Sequence, residues 1–333
     1  MKRPAVLVLG ALLACSGTPR AGEEQAVNVI IPRGATLDAA IDSLAAAGII
    51  AHPFGFAIYS RLRGLRGGLK SGTYAFPLHD DWSDVVDALQ RGRGVLVRWP
   101  VPEGLMLWEI AQRAQTNLGV PRDSFLAAVR DPELLEELDI RGRAETLEGF
   151  LYPTTYLVRA HIGARDLVRA MVREFTAHWR PEWDARLDSL RFTRSEIVTL
   201  ASIVQAEVRY GPDRPFVSAV YHNRLRLGMR LEADPTVIYA YGRRLHRVWE
   251  KNLRVASAYN TYLHPGLPPG PICSPDSASI AAALYPAPYP FLYFVAQADG
   301  KHVFSATYAD HLAAIRRIKQ APRRAPARPA PGR

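Results

Sequence analysis

The stretch Thr193-Arg194-Ser195-Glu196-Ile197-Val198-Thr199-Leu200-Ala201-Ser202-Ile203-Val204-Gln205-Ala206-Glu207-Val208 carries the strongest helix signal in the chain. Thr193 and Glu196 fit a capping box: the threonine hydroxyl takes the N3 amide, and the glutamate reaches back to the cap amide. Ile197, Leu200, Ala201, Val204 and Val208 then recur at helical spacing and form one apolar stripe. Glu207 falls at the edge of that stripe, beside the predicted core rather than opposite it. Burial disfavours the charged form of a carboxyl and raises its pKa. A glutamic acid kept protonated near neutrality can act as a general acid, and glycoside cleavage needs such an acid at the leaving oxygen. The alternative for Glu207 is an ordinary ion pair on a helix surface. Glu196 lies at a similar angle, but capping accounts for it.

Downstream, a second helix is predicted over residues 214–227, stopped by Gly228. Asp234-Pro235-Thr236-Val237-Ile238-Tyr239 follows. Residues 259–272 read as a long ordered loop, crowded with amide, hydroxyl and aromatic side chains as functional loops often are. Residues 291–296 and 302–305 read as a hairpin turning at 298–301. A last helix is predicted over 308–319.

Upstream, residues 105–190 read as mainly helical, with helical spacing at 124–129, 132–138 and 164–179. Residues 148–156, Glu-Gly-Phe-Leu-Tyr-Pro-Thr-Thr-Tyr, are too aromatic and Pro-interrupted for a helix interior. Arg180-Pro181 and Arg191-Phe192 read as loop and mark a boundary. Nearer the start, one pattern occurs twice. A strand at 27–31 leads into Pro32-x-Gly34 and a helix with Leu37, Ile41 and Leu44. A strand at 95–101 leads into Pro102-x-Gly104 and a helix with Leu107, Ile110 and Ala111. Between them lie a strand at 73–76 and a helix at 81–89 ending at Gly92. Strands and helices in this mixed order predict an α+β fold.

The 333 residues predict about two domains. A 48% hydrophobic, 22% charged chain is neither wholly disordered nor collagen-like. Two cysteines, Cys15 and Cys273, are too few for a disulfide scaffold or a multi-cysteine metal cluster. There is no P-loop, no Gly-x-Gly-x-x-Gly, no His-Glu-x-x-His, no paired Cys-x-x-Cys and no Gly-x-Ser-x-Gly, so no cofactor or metal is expected. His222 and His264 read as structural. Of the net charge of +10, residues 316–333 supply seven and Lys2 and Arg3 two, which leaves +1 for residues 4–315. The basic character therefore lies at the end of the chain, in Arg316, Arg317 and Lys319 and in a following Pro/Ala/Arg tail that cannot bury a core. The near-neutral body is not expected to bind nucleic acid.

At the N-terminus, Met1-Lys2-Arg3 precedes an apolar run over residues 5–14. A spanning helix needs about 20 residues, and this length fits the apolar part of a secretory signal. Leu12-Leu13-Ala14-Cys15 followed by Ser16-Gly17 resembles a bacterial lipobox, which would make Cys15 a lipidated N-terminus. Cleavage near Ala21 and a short uncleaved anchor are the alternatives. All three place the body outside the cytoplasm. Cys273 is then left to pack as a small hydrophobe.

Six ordered segments carry a resemblance. They are Val101-Pro102-Glu103-Gly104-Leu105; residues 147–156; Leu200-Ala201-Ser202-Ile203-Val204-Gln205-Ala206-Glu207; Asn223-Arg224-Leu225 with Gly228, Met229 and Leu231; Asp234-Pro235-Thr236-Val237; and Tyr259-Asn260-Thr261-Tyr262 with residues 266–272. In these the chain resembles the YceG-like endolytic murein transglycosylases, the MltG family, from about residue 27 to residue 319. The resemblance implies a LysM-like subdomain followed by a mixed α/β catalytic domain. It implies cleavage of nascent peptidoglycan strands between N-acetylmuramic acid and N-acetylglucosamine, leaving 1,6-anhydromuramic ends. It makes Glu207 the catalytic acid. Asn223, Asp234, Thr236, Asn260, Thr261 and Tyr262 are candidates for hydrogen bonding and stacking with sugar in the cleft, the alternative for them being turn and domain packing. Many relatives carry Glu where this chain has Gln205. Relatives usually have a full membrane-spanning helix where this chain has a short run ending in Cys15.

The expected organisation is a signal or anchor over 1–22, the LysM-like part over 26–100, a helical connecting part over 101–190, a catalytic core over 191–319 and a basic tail over 320–333. The expected partners are peptidoglycan glycan strands, the outer face of the cell membrane and peptidoglycan synthases. The competing function is a non-catalytic murein-binding scaffold that recruits synthases.

Overall fold

A computed structural model describes residues 26–320, apart from 33, 66–68, 79, 93–95, 139–144, 160–161 and 246. The signal segment, Cys15 and the tail beyond residue 320 lie outside the described residues. The chain divides between Leu96 and Val97 into two compact units. Elements are numbered in chain order.

In the N-terminal unit, β1 (Ala26–Ile31) pairs antiparallel with β2 (Gly72–Pro77), with Val29 opposite Tyr74 and Ile31 opposite Gly72. The strand period of two sends Val29 and Ile31 inward while Ile30 stays exposed. α1 (Leu37–Ala46) starts at Thr36, whose hydroxyl accepts the Ala39 amide at 3.2 Å. α3 (Trp82–Arg91) starts at Asp81 and stops at Gly92, in the left-handed conformation at φ 70°. The core joins Ile41, Leu44, Tyr74, Phe76, Val85 and Leu89. α2 (Pro53–Leu62) was not expected. It buries Phe56 against the Trp82 ring, centroids 5.7 Å apart, yet leaves Phe54 and Leu62 exposed. Apolar residues on both faces hide the single stripe by which a helix is recognised.

The second unit begins within β3 (Leu96–Pro100), which neighbours β4 (Thr155–Arg159). Between these strands lie α4 (Leu107–Leu118), α5 (Arg122–Ala128) and α6 (Pro132–Glu137). α7 (Ala164–His178) and α8 (Pro181–Leu190) follow. Arg180-Pro181 is thus not a loop. Proline is well suited to a first helical position, where its missing amide is not needed, and α8 buries Trp183 and Leu187. The irregular stretch before β4 turns through Gly149, then extends.

α9 (Arg194–Glu207) is the centre of this unit, and α8, α10 (Arg214–Arg226), α11 (Asp234–Ala240) and α12 (Ser277–Leu284) all pack on it. The expected capping box is present: Glu196 N donates to Thr193 Oγ1 at 3.2 Å, and Thr193 N donates to Glu196 Oε2 at 2.7 Å. The single stripe is not what is found, because Ile197 and every residue after it to Val204 are buried. Thr199 and Ser202 enter the core because their hydroxyls donate to the Ser195 and Thr199 carbonyls, each at 2.7 Å. One hydrophobic core runs through residues on both sides of 190, from Phe150 and Phe175 to Ile197, Val204 and Val217. Cys273 is buried and free, with its thiol donating to the Ser202 carbonyl at 3.3 Å. The hairpin is β5 (Tyr293–Ala296) against β6 (His302–Ser305), and α13 (Tyr308–Gln320) follows. Helices with small two-stranded sheets make the fold α+β. Among the described residues no helix is long and apolar enough to cross a membrane.

Candidate functional site

Glu207 is the last residue of α9, and Val208 already has extended backbone. The chain turns through residues 211–213 and returns as α10, which packs along α9. This return brings Tyr221 to the end of α9, where its hydroxyl donates to Glu207 Oε1 at 3.2 Å. Tyr221 is 1% exposed, and its ring stands edge-on to Phe294 with centroids 5.9 Å apart.

Glu207 opens on a cleft of about 280 Å³. Arg224, Glu232, Asp234, Tyr262, Tyr293 and His311 line it as well. Burial pushes the Glu207 carboxyl up to about 7, and the negative charge of Asp234 pushes the same way. The Tyr221 hydrogen bond opposes both, since it favours the charged form. Near neutral pH the group is therefore divided between its acid and its carboxylate. Asp234 opens α11, where an acid is favoured by the helix dipole, and accepts the Tyr262 hydroxyl at 2.7 Å.

Arg224 builds another wall. It donates to the carbonyls of Leu292 at 2.8 Å, Arg230 at 3.2 Å and Leu231 at 3.0 Å, and to Glu232 Oε2 at 3.1 Å. Its guanidinium lies 5.3 Å from the Tyr293 ring centroid. Glu232 has φ 52°, a left-handed conformation unusual for a residue with a side chain. Arg224 and the Glu232 amide bond to the Thr261 carbonyl hold that bend.

Of the residues singled out in the sequence, the structure brings Glu207, Asp234 and Tyr262 to one cleft. It does not bring the other four there. Thr236 and Thr261 are buried and bonded to each other at 2.9 Å; Thr236 also donates to the Ala233 carbonyl, and Thr261 accepts the Ala233 amide. Asn260 donates to the Leu253 and Val255 carbonyls and accepts the Tyr262 amide. Asn223 donates to the Tyr289 and Phe291 carbonyls. These four side chains pin the loops that carry the cleft walls.

Sequence reasoning did not single out Tyr221, Glu232, Tyr293 or His311. Tyr221 and Arg224 stand three apart on α10 and so share a face, which is the one available signal. His302 and His222 take structural partners: Asp213 Oδ2 at 2.9 Å from the first and the Ala283 carbonyl at 2.7 Å from the second. Gln205 Oε1 accepts the Asp276 amide at 3.1 Å and the Ser279 hydroxyl at 2.9 Å. It thereby holds the start of α12, whose cap Asp276 is also paired with Arg214 at 3.0 Å.

A second buried carboxyl belongs to Glu148, which is 3% exposed. It accepts the Leu107 amide at the start of α4, at 3.2 and 3.1 Å to its two oxygens, and a hydrogen bond from Tyr239. Burial outweighs these bonds and pushes it up to about 8. Glu148 does not line the Glu207 cleft.

Residues 29–317 match the model of the YceG-like family. An endolytic murein transglycosylase of Bacillus subtilis is 29% identical over 299 residues, covering 86% of this chain and 82% of that protein. A protein of the same name from Streptococcus pneumoniae is 29% identical over 321 residues, and the match covers 58% of its length. The crystal structure of a YceG-like protein from Listeria monocytogenes superposes with a TM-score of 0.61 at 29% identity, covering 87% of this chain and 99% of that one.

Proposed function

The chain belongs to the YceG-like family, and on that premise we propose that it is an endolytic murein transglycosylase with Glu207 as its acid and base. The relatives from B. subtilis and S. pneumoniae bear that name. The observation that carries the assignment of Glu207 is a carboxyl raised to about 7 at the wall of an open cleft. That is where a general acid working near neutrality is needed.

In the proposed reaction, the protonated Glu207 gives its proton to the oxygen joining muramic acid C1 to the next sugar. The C1–O bond breaks and the leaving sugar keeps the bonding pair and the proton. The C6 hydroxyl of the same muramic residue attacks C1, and its proton passes to the Glu207 carboxylate. No water is consumed, and the enzyme returns to its starting state. Holding the nucleophile on the substrate exploits a large effective molarity and removes the need for the second carboxylate of a hydrolase. Asp234 and Glu232 stand in the same cleft, but their carboxylates are engaged by Tyr262 and Arg224. The bond to Tyr262 uses Oδ1 of Asp234, so the second oxygen of Asp234 and the hydroxyl oxygen of Tyr262 are the groups proposed to meet sugar hydroxyls. Asn223, Thr236, Asn260 and Thr261 serve by fixing the walls.

The N-terminal unit is proposed as the LysM-like, wall-binding part. The body acts on the outer face of the cell membrane, attached through the N-terminal segment, on strands supplied by peptidoglycan synthases.

The test is to incubate the protein with uncrosslinked glycan strands and analyse the products by mass spectrometry. Anhydro-ended fragments from the wild type, absent with Glu207→Gln, are expected. Reducing ends instead of anhydro ends would make the enzyme a hydrolase. Strand binding without cleavage by the wild type would make it the scaffold that recruits synthases.

A further inference from the structure

The catalytic reading leaves open which oxygen of Glu207 carries the proton and what holds the carboxyl still. Glu207 is the last residue of its helix and lines the cleft. A glutamate there has three rotatable bonds and loses considerable entropy if fixed. Among the described residues, one hydrogen-bond donor holds it: the Tyr221 hydroxyl, on Oε1 at 3.2 Å. Tyr221 itself cannot move freely. It is 1% exposed, sits in the middle of α10 and is wedged against Phe294.

We propose that Tyr221 is the positioning residue of the reaction: it engages Oε1 of Glu207 and so leaves Oε2 as the oxygen that gives and takes back the proton at the cleft. The proposal rests on Glu207 being the acid. In the acid form, Oε1 is the carbonyl oxygen and accepts the Tyr221 hydrogen, while Oε2 bears the proton. When Oε2 gives up its proton, the carboxylate gains a full charge and the Tyr221 bond becomes charge-assisted and stronger. Tyr221 therefore favours proton release at the moment the glycosidic bond breaks. The same bond makes the carboxylate a weaker base towards the C6 hydroxyl. This offsets the pull of burial and of Asp234, both of which raise the carboxyl towards staying protonated. A tyrosine as buried as this one keeps its own proton, because burial and the neighbouring Glu207 push its hydroxyl well above the ordinary range.

The variant Tyr221→Phe removes one oxygen and keeps the ring. The other titratable or charged groups facing Glu207 are unchanged in it: Asp234 on α11, Arg224 on α10, Glu232 and Tyr262 on loops, Tyr293 on β5 and His311 on α13. The measurement is the titration of the Glu207 side-chain carboxyl carbon, followed by carbon-13 NMR in the full chain without substrate. A wild-type midpoint near 7 that moves up by about one unit in Tyr221→Phe is the expected result. The rate of anhydro-end formation should show its alkaline limb displaced upwards by the same amount, with a lower plateau below it. Phe294→Leu loosens the same packing without touching the hydroxyl, and should leave the titration in place. The proposal is overturned by an unmoved midpoint in Tyr221→Phe, or by an equal shift in Phe294→Leu. If the wild type cleaves strands and only the shift is missing, the positioning role fails and the catalytic reading stands. If the wild type makes no anhydro ends, the catalytic reading fails and this proposal fails with it.

Discussion

The hydroxyls of Thr236 and Thr261 meet at 2.9 Å in a fully buried place, although the residues are 25 apart in sequence. Thr236 is the third residue of α11 and Thr261 lies in the loop that delivers Tyr262 to the cleft. Their contact ties the element bearing Asp234 to the loop whose tyrosine binds that same Asp234.

Thr236→Val keeps the shape and removes the oxygen that the Thr261 hydroxyl and amide meet at 2.9 and 3.4 Å, while the Ala233 carbonyl still accepts the residue 236 amide. Leaving a buried donor unpaired costs about 1–3 kcal/mol. Urea unfolding should show a loss in that range, with an unchanged dependence on denaturant. An undiminished midpoint would mean that the pair is not holding the loop.

Asp234→Asn tests the electrostatics of the cleft. The Asp234 charge raises the Glu207 pKa, so removing it lowers that pKa. A general acid must be protonated, and activity falls as pH rises through its pKa. The alkaline limb should therefore move to lower pH in the variant, with a loss of about two- to tenfold at pH 7. An upward movement of the limb would contradict this placement of the charge.

Glu148 makes the stability of the fold depend on pH. Its pKa is about 8 when folded, against 4.5 for an unperturbed group. Its contribution is fully present below pH 4.5 and is lost as pH rises to about 8, because ionising it in the folded chain is unfavourable. Glu207 adds a smaller effect of the same sign, ending near 7. Between pH 5 and 9 the unfolding midpoint should fall in the wild type and fall less in Glu148→Gln, which can still accept the Leu107 amide. Parallel curves for the two proteins would refute the assignment.

Gly149 and Gly228 give a matched pair. Both have positive φ, 81° and 67°. A Cβ on Gly149 would stand 2.4 Å from Pro271 Cβ and 3.1 Å from Val198 Cγ1, whereas one on Gly228 meets nothing within 4 Å. Gly228→Ala should cost about 1 kcal/mol, the backbone term alone. Gly149→Ala adds a clash with a rigid ring and should cost about 2–4 kcal/mol in chemical denaturation. Equal costs would show that the loop carrying Pro271 yields.

The parts of the fold readable in the sequence are those whose cause is local. Thr193 and Glu196 announce the start of α9 because a capping box is satisfied within four residues. Gly92 and Gly228 announce helix ends because the left-handed turn needs glycine there. Glu207 could be placed at the core edge, since helical geometry alone sets its angle to Val204 and Val208. The full burial of α9 was not readable: Thr199 and Ser202 look like solvent-facing residues, and only their bonds to carbonyls one turn back let them be covered. α2 escaped notice because Phe54 and Leu62 remain exposed. The cleft was half legible. Asp234 and Tyr262 lie in motifs, but Tyr221 matters only because α10 folds back along α9, and His311 only because the last helix closes on the hairpin. Neither relationship has a trace in local spacing.

The cleft wall includes His311, on the last described helix, more than a hundred residues after Glu207. A ribosome makes Glu207 long before it makes that wall. While the chain is still being synthesised, the carboxyl of Glu207 has neither its full shielding from water nor its facing surface. The order of translation thus separates the two: a half-made molecule carries Glu207 without a completed cleft around it.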